Sequence, residues 1–540
     1  SSFTMLLVWG IVVATLGCLL LLLRTLVSSP TDADAKKNHR PKYVALQKEN
    51  NNNIKKEFVC IPQHKWILEK SLSENLINYK NNTENDDTDE STEAETESSS
   101  SDGESIKHIR VALLTYGTRG DIQPMISLAL AMKNLKGEVQ NNRLDPFICA
   151  PDVYKFFIEG YGVDFVSAGI SNVEQNEKLF RSDKVAFADV VDEIQKLYKD
   201  LSVGFLNACS AKGGCDFIIT QVFSKLFGMH IAEKLKIPCW VAHFGPSDTP
   251  TFDFPPPEYQ ASKYGLLNKL SYHWRGLQIV LAAKKCGLID SDEYFRETVL
   301  GLPKLSLEET VEKEKFTPCL HAYSPILQPK PSDWSSWQIM TGPWRLPCSS
   351  LQSEIENVKE NKSLMNFLAK QPIFVTFGSM EHVNDILLKT LDAVSKINLP
   401  MLICAKPELT AELDKTKLDF DDSQIQFTYS IPFDFVFQKC RCVVHHGGAG
   451  TTASAAYAGI PSVVIPILQW SDQQYWARIV SDRNIGIHLP LAEASVKAIG
   501  AAVTSAMDLA ESSKLVAENL NRQADGAYQA ARLVFDYLYA

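Results

Sequence analysis

The sequence predicts an α/β chain with two doubly wound parallel-sheet domains that face each other across a cleft, preceded by a transmembrane helix. Two sets of short apolar segments alternate with helix-like stretches, as is typical of parallel sheets covered on both faces. Within each set a glycine turn follows a strand, at Gly117 and at Gly447. An uncharged apolar run near the start of the sequence predicts the transmembrane helix.

Residues 1–30 are predicted to form a membrane anchor. The segment Met5 to Leu23 carries no charge and approaches the roughly 20 residues that a helix needs to cross a bilayer. It also lacks the basic start of a secretory signal. Because basic residues follow the segment from Arg24 to Lys42, the positive-inside tendency predicts a single-pass protein whose catalytic region faces the cytosol.

Residues 31–106 are predicted to be a disordered tether. Residues 81–105 hold ten of the 64 acidic residues and no Lys or Arg, so the rest of the chain carries 54 acidic and 54 basic residues. A segment of that composition buries too little apolar surface to offset its ordering entropy. The nearly neutral remainder gives no support for nucleic-acid binding through a basic surface.

The first domain is predicted over residues 107–345. Its first strand, His108 to Tyr116, runs into the turn from Gly117 to Asp121, and a helix is predicted over Gln123–Lys133. Further strands are predicted at Pro146–Ala150, Val163–Val166, Phe217–Val222 and Pro238–His243.

The second domain is predicted over residues 372–510, after a linker over 346–371. Helices over 511–540 are predicted to pack back on the first domain. In doubly wound sheets ligands bind beyond the carboxyl ends of the strands, where both glycine turns fall. The strands are predicted at Pro372–Phe377, Pro400–Ala405, Ile425–Tyr429, Cys442–His445 and Ser462–Ile465.

The segment Val443–Thr452 (VVHHGGAGTT) predicts a phosphate site. Glycines allow close backbone approach, and the free amides and positive dipole end of the following helix favour an anion. Neither the dinucleotide fingerprint nor the P-loop spacing occurs. Polar residues from Gln469 to Gln473 follow the next strand and suit sugar hydroxyls, so the pair predicts a nucleotide-sugar site. A tight turn with buried histidines is the alternative.

Several ordered motifs resemble the UDP-glucose-dependent sterol glucosyltransferases of the GT-B superfamily, over roughly Ile109 to Tyr539. The resemblance implies inverting transfer of glucose from UDP-glucose to the 3-hydroxyl of a sterol or similar membrane lipid. The motifs are GTRGDIQP from Gly117, TPTFDFP from Thr249, PKPSDW from Pro329, IPFD from Ile431, His445–Thr452 and Asp472-Gln473.

The resemblance also implies the roles of individual residues. Asp121 is implied to be the general base, which the chemistry needs because an attacking alcohol must lose its proton; a helix cap is its alternative role. An apolar acceptor wall is expected from Phe252, Phe254 and Pro255. The implied donor-binding residues are Thr118, Arg119, Ser379, Ile431, Phe433, His445, His446, Ala449, Gly450, Thr451, Asp472 and Gln473.

No metal and no cofactor beyond the donor are expected, because a helix N-terminus can take the role of a divalent cation at the diphosphate. The D-x-D spelling at Asp419–Asp421 falls in a polar loop, and the twelve cysteines show no repeated ligand spacing. Ser379 has a simple helix cap as its alternative role.

Three other functions stay open. One is the same reaction on a non-sterol acceptor, such as a triterpenoid, hydroxy fatty acid or polyketide, and another is a non-catalytic lipid- or nucleotide-sugar-binding protein. The third is a nucleotide-sugar epimerase on the same architecture, which the apolar anchor and the aromatic wall disfavour because they suit a membrane-borne acceptor. The chain departs from the sterol glucosyltransferase pattern at Ala449, where serine is frequent, and at Phe433, where histidine is usual. The stretch Tyr264–Leu281 is predicted either to touch a bilayer surface or to pack as an amphipathic helix.

Overall fold

The structure, a computed structural model, describes residues 108–135, 143–170, 187–211, 213–245, 249–378, 380, 383–406, 422–429, 431–468 and 471–539. The predicted anchor over 1–30, the predicted tether over 31–106, Ser379, the Asp419–Asp421 sequence and Gln469-Trp470 lie outside these residues. Within them no helix combines the length and the apolar character that a bilayer crossing requires.

The first lobe is built on a seven-stranded parallel sheet in the order β3-β2-β1-β4-β5-β6-β7. Its central strands are apolar along their length because helices cover both faces of the sheet. Its strands are β1 His108–Leu114, β2 Arg143–Ala150, β3 Asp164–Ser167, β4 Phe217–Gln221, β5 Cys239–His243, β6 Cys319–His321 and β7 Gln338–Met340.

Helices pack on both faces of this sheet. They are α1 Arg119–Asn134, α2 Lys155–Glu159, α3 Phe187–Ser210, α4 Lys225–Leu235, α5 Gly265–Lys285, α6 Leu288–Tyr294 and α7 Leu307–Phe316.

The second lobe is built on a six-stranded parallel sheet in the order β10-β9-β8-β11-β12-β13. Its strands are β8 Ile373–Thr376, β9 Met401–Cys404, β10 Ile425–Thr428, β11 Cys442–His445, β12 Ser462–Val464 and β13 Gly486–His488. Its helices are α8 Gln352–Glu360, α9 Lys362–Leu368, α10 Asn384–Lys396, α11 Phe433–Val436, α12 Ala449–Ala458, α13 Asp472–Asp482, α14 Val496–Met507 and α15 Ala510–Asn521.

The strand order reverses once in each sheet, and these two points position the site. In the first sheet the reversal lies between β1 and β4, where Val111 pairs with Phe217. In the second it lies between β8 and β11, where His445 pairs with Thr376. Crevices for ligands form where such connections diverge, beyond the carboxyl ends of the strands.

The two lobes contact each other through an apolar cluster and through the Arg478 side chain. First-lobe residues Phe254, Tyr323 and Trp334 pack with Tyr475 and Trp476 of α13. On the same helix the Arg478 guanidinium donates to the carbonyls of Tyr259 (2.7 Å) and Pro257 (3.2 Å). The lobes therefore meet along α13, whose first residues are implied to bind the donor sugar.

Two segments differ from the predicted boundaries. Residues 346–371 were expected to be a linker, but α8 and α9 lie there and bury Leu364, Phe367 and Leu368 against the second-lobe core, because these side chains are apolar. Beyond 510, α15 lies on the second lobe, where Leu520 joins the cluster of Ala456. The last helix, α16 Gly526–Tyr539, packs on the first lobe instead.

Candidate active site

A cleft of about 1200 Å³ separates the two lobes at the carboxyl ends of both sheets. Its walls carry the turn after β1, the turns after β8 and β11, and the start of α13. Eleven of the residues singled out in the sequence line it: Thr118, Arg119, Asp121, Ile431, Phe433, His446, Ala449, Gly450, Thr451, Asp472 and Gln473.

The turn after β1 holds Asp121 against its own backbone. Helix α1 begins at Arg119, four residues earlier than predicted, with Thr118 as its N-cap. Oδ2 of Asp121 accepts hydrogen bonds from the Thr118 amide (2.7 Å) and the Thr118 hydroxyl (3.1 Å). Gly117 lies at φ +139°, and a Cβ there would come within 2.3 Å of Oδ2. Glycine is therefore required for the carboxylate to sit over this turn.

The Asp121 carboxyl has an unusual acidity. Burial between the lobes raises its pKa from 3.8 to about 7, with a smaller rise from the negative charge of Asp472; the hydrogen bonds from Thr118 oppose both. A carboxylate with a pKa near neutrality can accept a proton in the working pH range. Asp121 closes the capping box at the start of α1 and also lines the cleft, so its role as a helix cap does not remove the carboxyl from the cleft.

The turn after β11 presents an uncapped helix N-terminus to the cleft. Helix α12 starts at Ala449 after Gly448, whose lack of a side chain leaves no side-chain cap. The first intrahelical bond comes from the Thr452 amide to the Gly448 carbonyl (3.0 Å), so the amides of Ala449, Gly450 and Thr451 precede the helical ladder. Three amides and the positive end of the helix dipole are suited to a phosphate.

His446 is held between two glycines beside that helix end. A Cβ on Gly378 would come within 2.8 Å of its Cε1, and a Cβ on Gly448 within 2.7 Å of its Nε2. Burial lowers the pKa of His446 to about 4, so the ring is neutral near pH 7 and retains one N–H donor. Its Nδ1 is buried and accepts or donates no hydrogen bond among the described residues.

His445 faces into the protein rather than the cleft. It is fully buried at the end of β11, and its Nδ1 accepts a hydrogen bond from the Gly447 amide (3.1 Å). Burial, and then the neighbouring His446, lower its pKa to about 3. In this position His445 shapes the glycine turn and does not line the cleft, so the structure does not place it against the donor.

Asp472 and Gln473 are the first two residues of α13 and line the cleft from the second lobe. Oδ2 of Asp472 accepts from the Trp476 indole (3.1 Å), and Gly245 of the first lobe lies close by. Oε1 of Gln473 accepts from the amides of Ile467 (2.9 Å) and Leu468 (3.0 Å). The Gln473 carboxamide oxygen therefore anchors the loop before α13, while the Asp472 carboxylate stands nearer the first lobe.

The second-lobe wall of the cleft includes a group of aromatic side chains at Phe433. The ring of Phe433 stacks on Phe437 with centroids 4.9 Å apart, and Ile431 is buried beside them. Next to this group Arg345 donates to Oδ2 of Asp434 (2.8 Å) and covers the ring of Tyr457 at 4.1 Å. A flat apolar surface with nearby backbone groups is suited to a nucleobase.

The predicted acceptor wall does not line the cleft. Phe254 is buried against Trp334 and Tyr475, and Pro255 is buried beside it. Phe252 is exposed and lies under the Lys269 ammonium at 4.1 Å. Phe254 instead forms part of the contact between the lobes, a packing relationship that the local sequence does not reveal.

Other first-lobe residues form the apolar wall that the sequence reasoning missed. They come from the turns after β4 and β5 and from α5, the helix over which the sequence left two interpretations open. No spacing signal would have separated them from ordinary core positions. They are Val222, Phe223, Phe244, Ile279, Leu281 and Ala282.

No group of three or more His, Cys, Asp or Glu side chains able to hold a metal ion occurs in the described part of the chain. Nine cysteines in that part are free, namely Cys149, Cys209, Cys215, Cys239, Cys286, Cys319, Cys404, Cys440 and Cys442.

The chain has the GT-B fold, and its two lobes match family models of glycosyltransferase domains. The glycosyltransferase VinC, solved in complex with dTDP, has the same fold with a TM-score of 0.53 and 18% identity, over 80% of this chain and 100% of VinC. The model of the glycosyltransferase family 28 N-terminal domain matches residues 111–249. The model of the erythromycin biosynthesis protein CIII-like C-terminal domain matches residues 409–526.

In sequence the chain is similar to sterol 3-beta-glucosyltransferases, as its motifs indicated. The sterol 3-beta-glucosyltransferase of Komagataella phaffii is 28% identical over 424 residues, which are 72% of this chain and 31% of that protein. Glycosyltransferase GtfC of Amycolatopsis orientalis is also 28% identical, over 79% of this chain and 97% of GtfC. The match covers between 24% and 34% of the length of these sterol glucosyltransferases.

Proposed function

We propose that this chain transfers glucose from UDP-glucose to the 3-hydroxyl of a sterol or a similar membrane lipid, with inversion at the anomeric carbon. The observation that carries the proposal is that Asp121, with a pKa near 7, shares one cleft with the uncapped N-terminus of α12. A base for the acceptor and a cradle for the leaving diphosphate are the two groups that the reaction needs.

In the proposed reaction Asp121 takes the proton of the acceptor hydroxyl as its oxygen attacks the anomeric carbon. A bond forms between that oxygen and the carbon, the bond from the carbon to the diphosphate breaks, and the electron pair leaves on UDP. The Thr118 hydrogen bonds to Oδ2 fix the Asp121 carboxylate during this step. We assign Oδ1, the oxygen to which Thr118 does not donate, as the atom that receives the proton.

The charge that develops on UDP meets the first amides of α12. We assign the diphosphate to the amides of Ala449, Gly450 and Thr451, with the neutral His446 ring as a further donor. Because this helix end supplies positive potential, we propose that no metal ion is needed there. We assign the aromatic ring of Phe433 and the backbone of Ile431 to binding of the uracil. We assign Asp472 to binding of the glucose hydroxyls.

The assignment of a sterol rests on the named relatives and on the size of the cleft. A volume of about 1200 Å³ exceeds the usual range for a single small ligand and leaves room for a nucleotide sugar together with a rigid polycyclic lipid. A non-sterol acceptor is the second candidate, because the match to GtfC covers 97% of that protein.

We further propose that Met5 to Leu23 anchors the chain in a membrane with the catalytic lobes on the cytosolic side. The proposal rests on the uncharged run and on the basic residues after it.

The function is tested by incubating the detergent-solubilised full chain with UDP-glucose and a panel of acceptors. The panel contains a 3β-hydroxysterol, a triterpenoid, a hydroxy fatty acid and a polyketide, and NMR reads the anomeric configuration of each product. We expect a sterol β-glucoside. Glucosides of non-sterol acceptors alone would favour the second candidate, and UDP-glucose binding without any product would favour a non-catalytic binding protein.

The matched variant for this experiment is Asp121→Asn. Asparagine can still accept the Thr118 amide hydrogen bond, so the helix start is retained. We expect transfer to fall by about 10²–10⁴-fold, the usual contribution of general base catalysis, while UDP affinity is unchanged. Wild-type turnover by this variant would exclude Asp121 as the base.

A further inference from the structure

Helix α5 carries an apolar stripe that faces solvent. Along its length, large apolar side chains recur at spacings of three and four, which places them on one face of a helix. Solvent reaches 52% of Leu267, 46% of Leu270, 56% of Trp274 and 59% of Leu281, with the half-buried Leu277 between them. The α5 stripe is defined as these five residues.

The opposite face of α5 accounts for the packing of the helix in the first lobe. That face is buried at Asn268, Tyr272, Arg275, Ile279 and Ala283. The buried face of α5, which contains none of the stripe residues, therefore supplies the packing that stabilises the helix in the first lobe. A continuous row of exposed apolar side chains of this length marks an interaction surface rather than a random scatter of surface residues.

The charges on and around α5 indicate what the stripe contacts. The helix contains no Asp or Glu, whereas Lys284 and Lys285 end it and are exposed. Lys263 precedes it, with its ammonium 5.1 Å from the Tyr264 ring, and Lys269 pairs with Asp333 (3.1 Å). An apolar face bordered by lysines fits the interface of a bilayer that contains anionic lipids.

The stripe is continuous with the cleft. Leu281 belongs both to the stripe and to the cleft wall, and its neighbours Gln278, Ala282 and Lys285 line the same wall. One helix therefore carries apolar surface from the outside of the first lobe to the candidate acceptor space. A lipid acceptor that left a bilayer along this helix would remain in contact with apolar side chains.

We propose that the α5 stripe docks on an anionic lipid bilayer and delivers the lipid acceptor to the cleft. The proposal rests on the proposed function for the identity of the acceptor, but the docking itself does not. A second copy of the chain fits the surface less well, because a two-fold contact through this stripe would bring equal lysines together without acidic partners on the helix.

Docking is tested with the full chain in vesicles of phosphatidylcholine and phosphatidylserine. A bimane fluorophore is attached at Leu270→Cys or, as a matched control, at Leu515→Cys, which replaces a side chain of equal type and similar exposure on α15. Brominated lipids report depth in the bilayer, and the signal of the unsubstituted chain is subtracted. We expect quenching at position 270 and none at 515, whichever other segment holds the chain to the vesicle.

Delivery is tested with the triple variant Leu267→Ser/Leu270→Ser/Trp274→Ser, whose residues lie outside the cleft wall, and with Leu515→Ser as control. For an acceptor embedded in vesicles we expect the triple variant to raise KM by about 10- to 100-fold, from the apolar area lost at the interface. For the same acceptor delivered in cyclodextrin we expect no change.

The outcomes separate docking from the proposed reaction. Equal quenching at both positions, or a KM that rises equally with both delivery methods, would overturn the proposal. So would a dimer in sedimentation without vesicles that the triple variant dissociates. If the wild-type chain makes no glucoside even in cyclodextrin, the proposed function fails, while the depth measurement still decides whether the stripe docks.

Discussion

Asp121 of the first lobe and Asp472 of the second interact electrostatically across the cleft. Burial is the main reason that the pKa of Asp121 rises to about 7, and the negative charge of Asp472 raises it further. Each carboxylate lies in the first turn of its helix, α1 or α13. The acidity of the candidate base therefore depends on the charge of a residue that we propose binds the sugar of the donor.

The pH dependence of transfer follows from this pair. A general base acts in its ionised form, and that fraction of Asp121 grows as the pH rises through the pKa. We expect kcat/KM to rise with pH and to level off above about pH 7. In Asp472→Asn one source of the raised pKa is removed, so the midpoint should move to lower pH even if donor binding weakens.

The control for this prediction is Asp482→Asn, which neutralises an exposed carboxylate at the far end of the same helix. Its pH midpoint should match the wild type. A midpoint in Asp472→Asn that stays at the wild-type value would show that the two carboxylates are not coupled in the working enzyme.

The strands of the fold could largely be predicted from the sequence, because buried parallel strands are apolar runs. All ten predicted strands are present, with ends that differ by a few residues. The three that were missed, β6, β7 and β13, have only three residues each and give no periodic signal. The start of α1 at Arg119 does have a local signal, because Thr118 and Asp121 have the spacing of a capping box.

The candidate site could be predicted only where its residues are neighbours in the chain. The glycine turns after β1 and β11 are local, and the sequence places them correctly at the cleft. The position of Phe254 depends on Tyr475, 221 residues away, whose ring centroid lies 5.2 Å from its own. The hydrogen bonds from the Ile467 and Leu468 amides to Gln473 likewise depend on the path of the loop before α13, which the local sequence does not specify.

Replacing Ala449 by proline isolates one amide of the phosphate cradle. Proline is favoured at the first position of a helix, and Gly448 before it has φ −62° and ψ 142°, which suits a residue before proline. Ala449→Pro thus deletes one N–H and preserves the helix. We expect kcat to fall about 100-fold, the typical cost of one donor to a developing anion.

In the matched variant Ala449→Ser every amide is retained, and serine is frequent at this position in the sterol glucosyltransferase pattern that the chain resembles. It should transfer glucose nearly as the wild type does. Thermal unfolding of both variants checks that the fold is intact. An Ala449→Pro protein that is folded and fully active would mean that this amide does not contact the leaving group.

Gly378 is expected to control the position of His446. It has φ +64°, and a Cβ there would come within 2.8 Å of the His446 ring, so Gly378→Ala should both strain the backbone and displace the histidine. We expect a stability loss of about 1–2 kcal/mol from the left-handed conformation. We also expect weaker UDP binding by titration calorimetry.

Gly162→Ala separates the two effects, because Gly162 has φ +71° and an added Cβ would meet nothing within 4 Å. It should lose similar stability and retain UDP affinity. If both alanine variants bind UDP equally well, His446 has no part in holding the diphosphate.

Arg478 should affect the acceptor more than the donor, although it lies on the helix that begins with Asp472. Its two terminal nitrogens donate to the carbonyls of Tyr259 and Pro257, and Pro257 lines the cleft. Arg478→Lys retains the charge but cannot reproduce both hydrogen bonds with one ammonium. We therefore expect it to raise KM for the acceptor by about tenfold, as for the loss of one hydrogen bond to a charged group. KM for UDP-glucose should change little, and the exposed Arg522→Lys substitution on the second lobe should change neither constant. Equal changes in the two KM values would indicate that Arg478 holds the lobes together as a whole and does not position the acceptor side of the cleft.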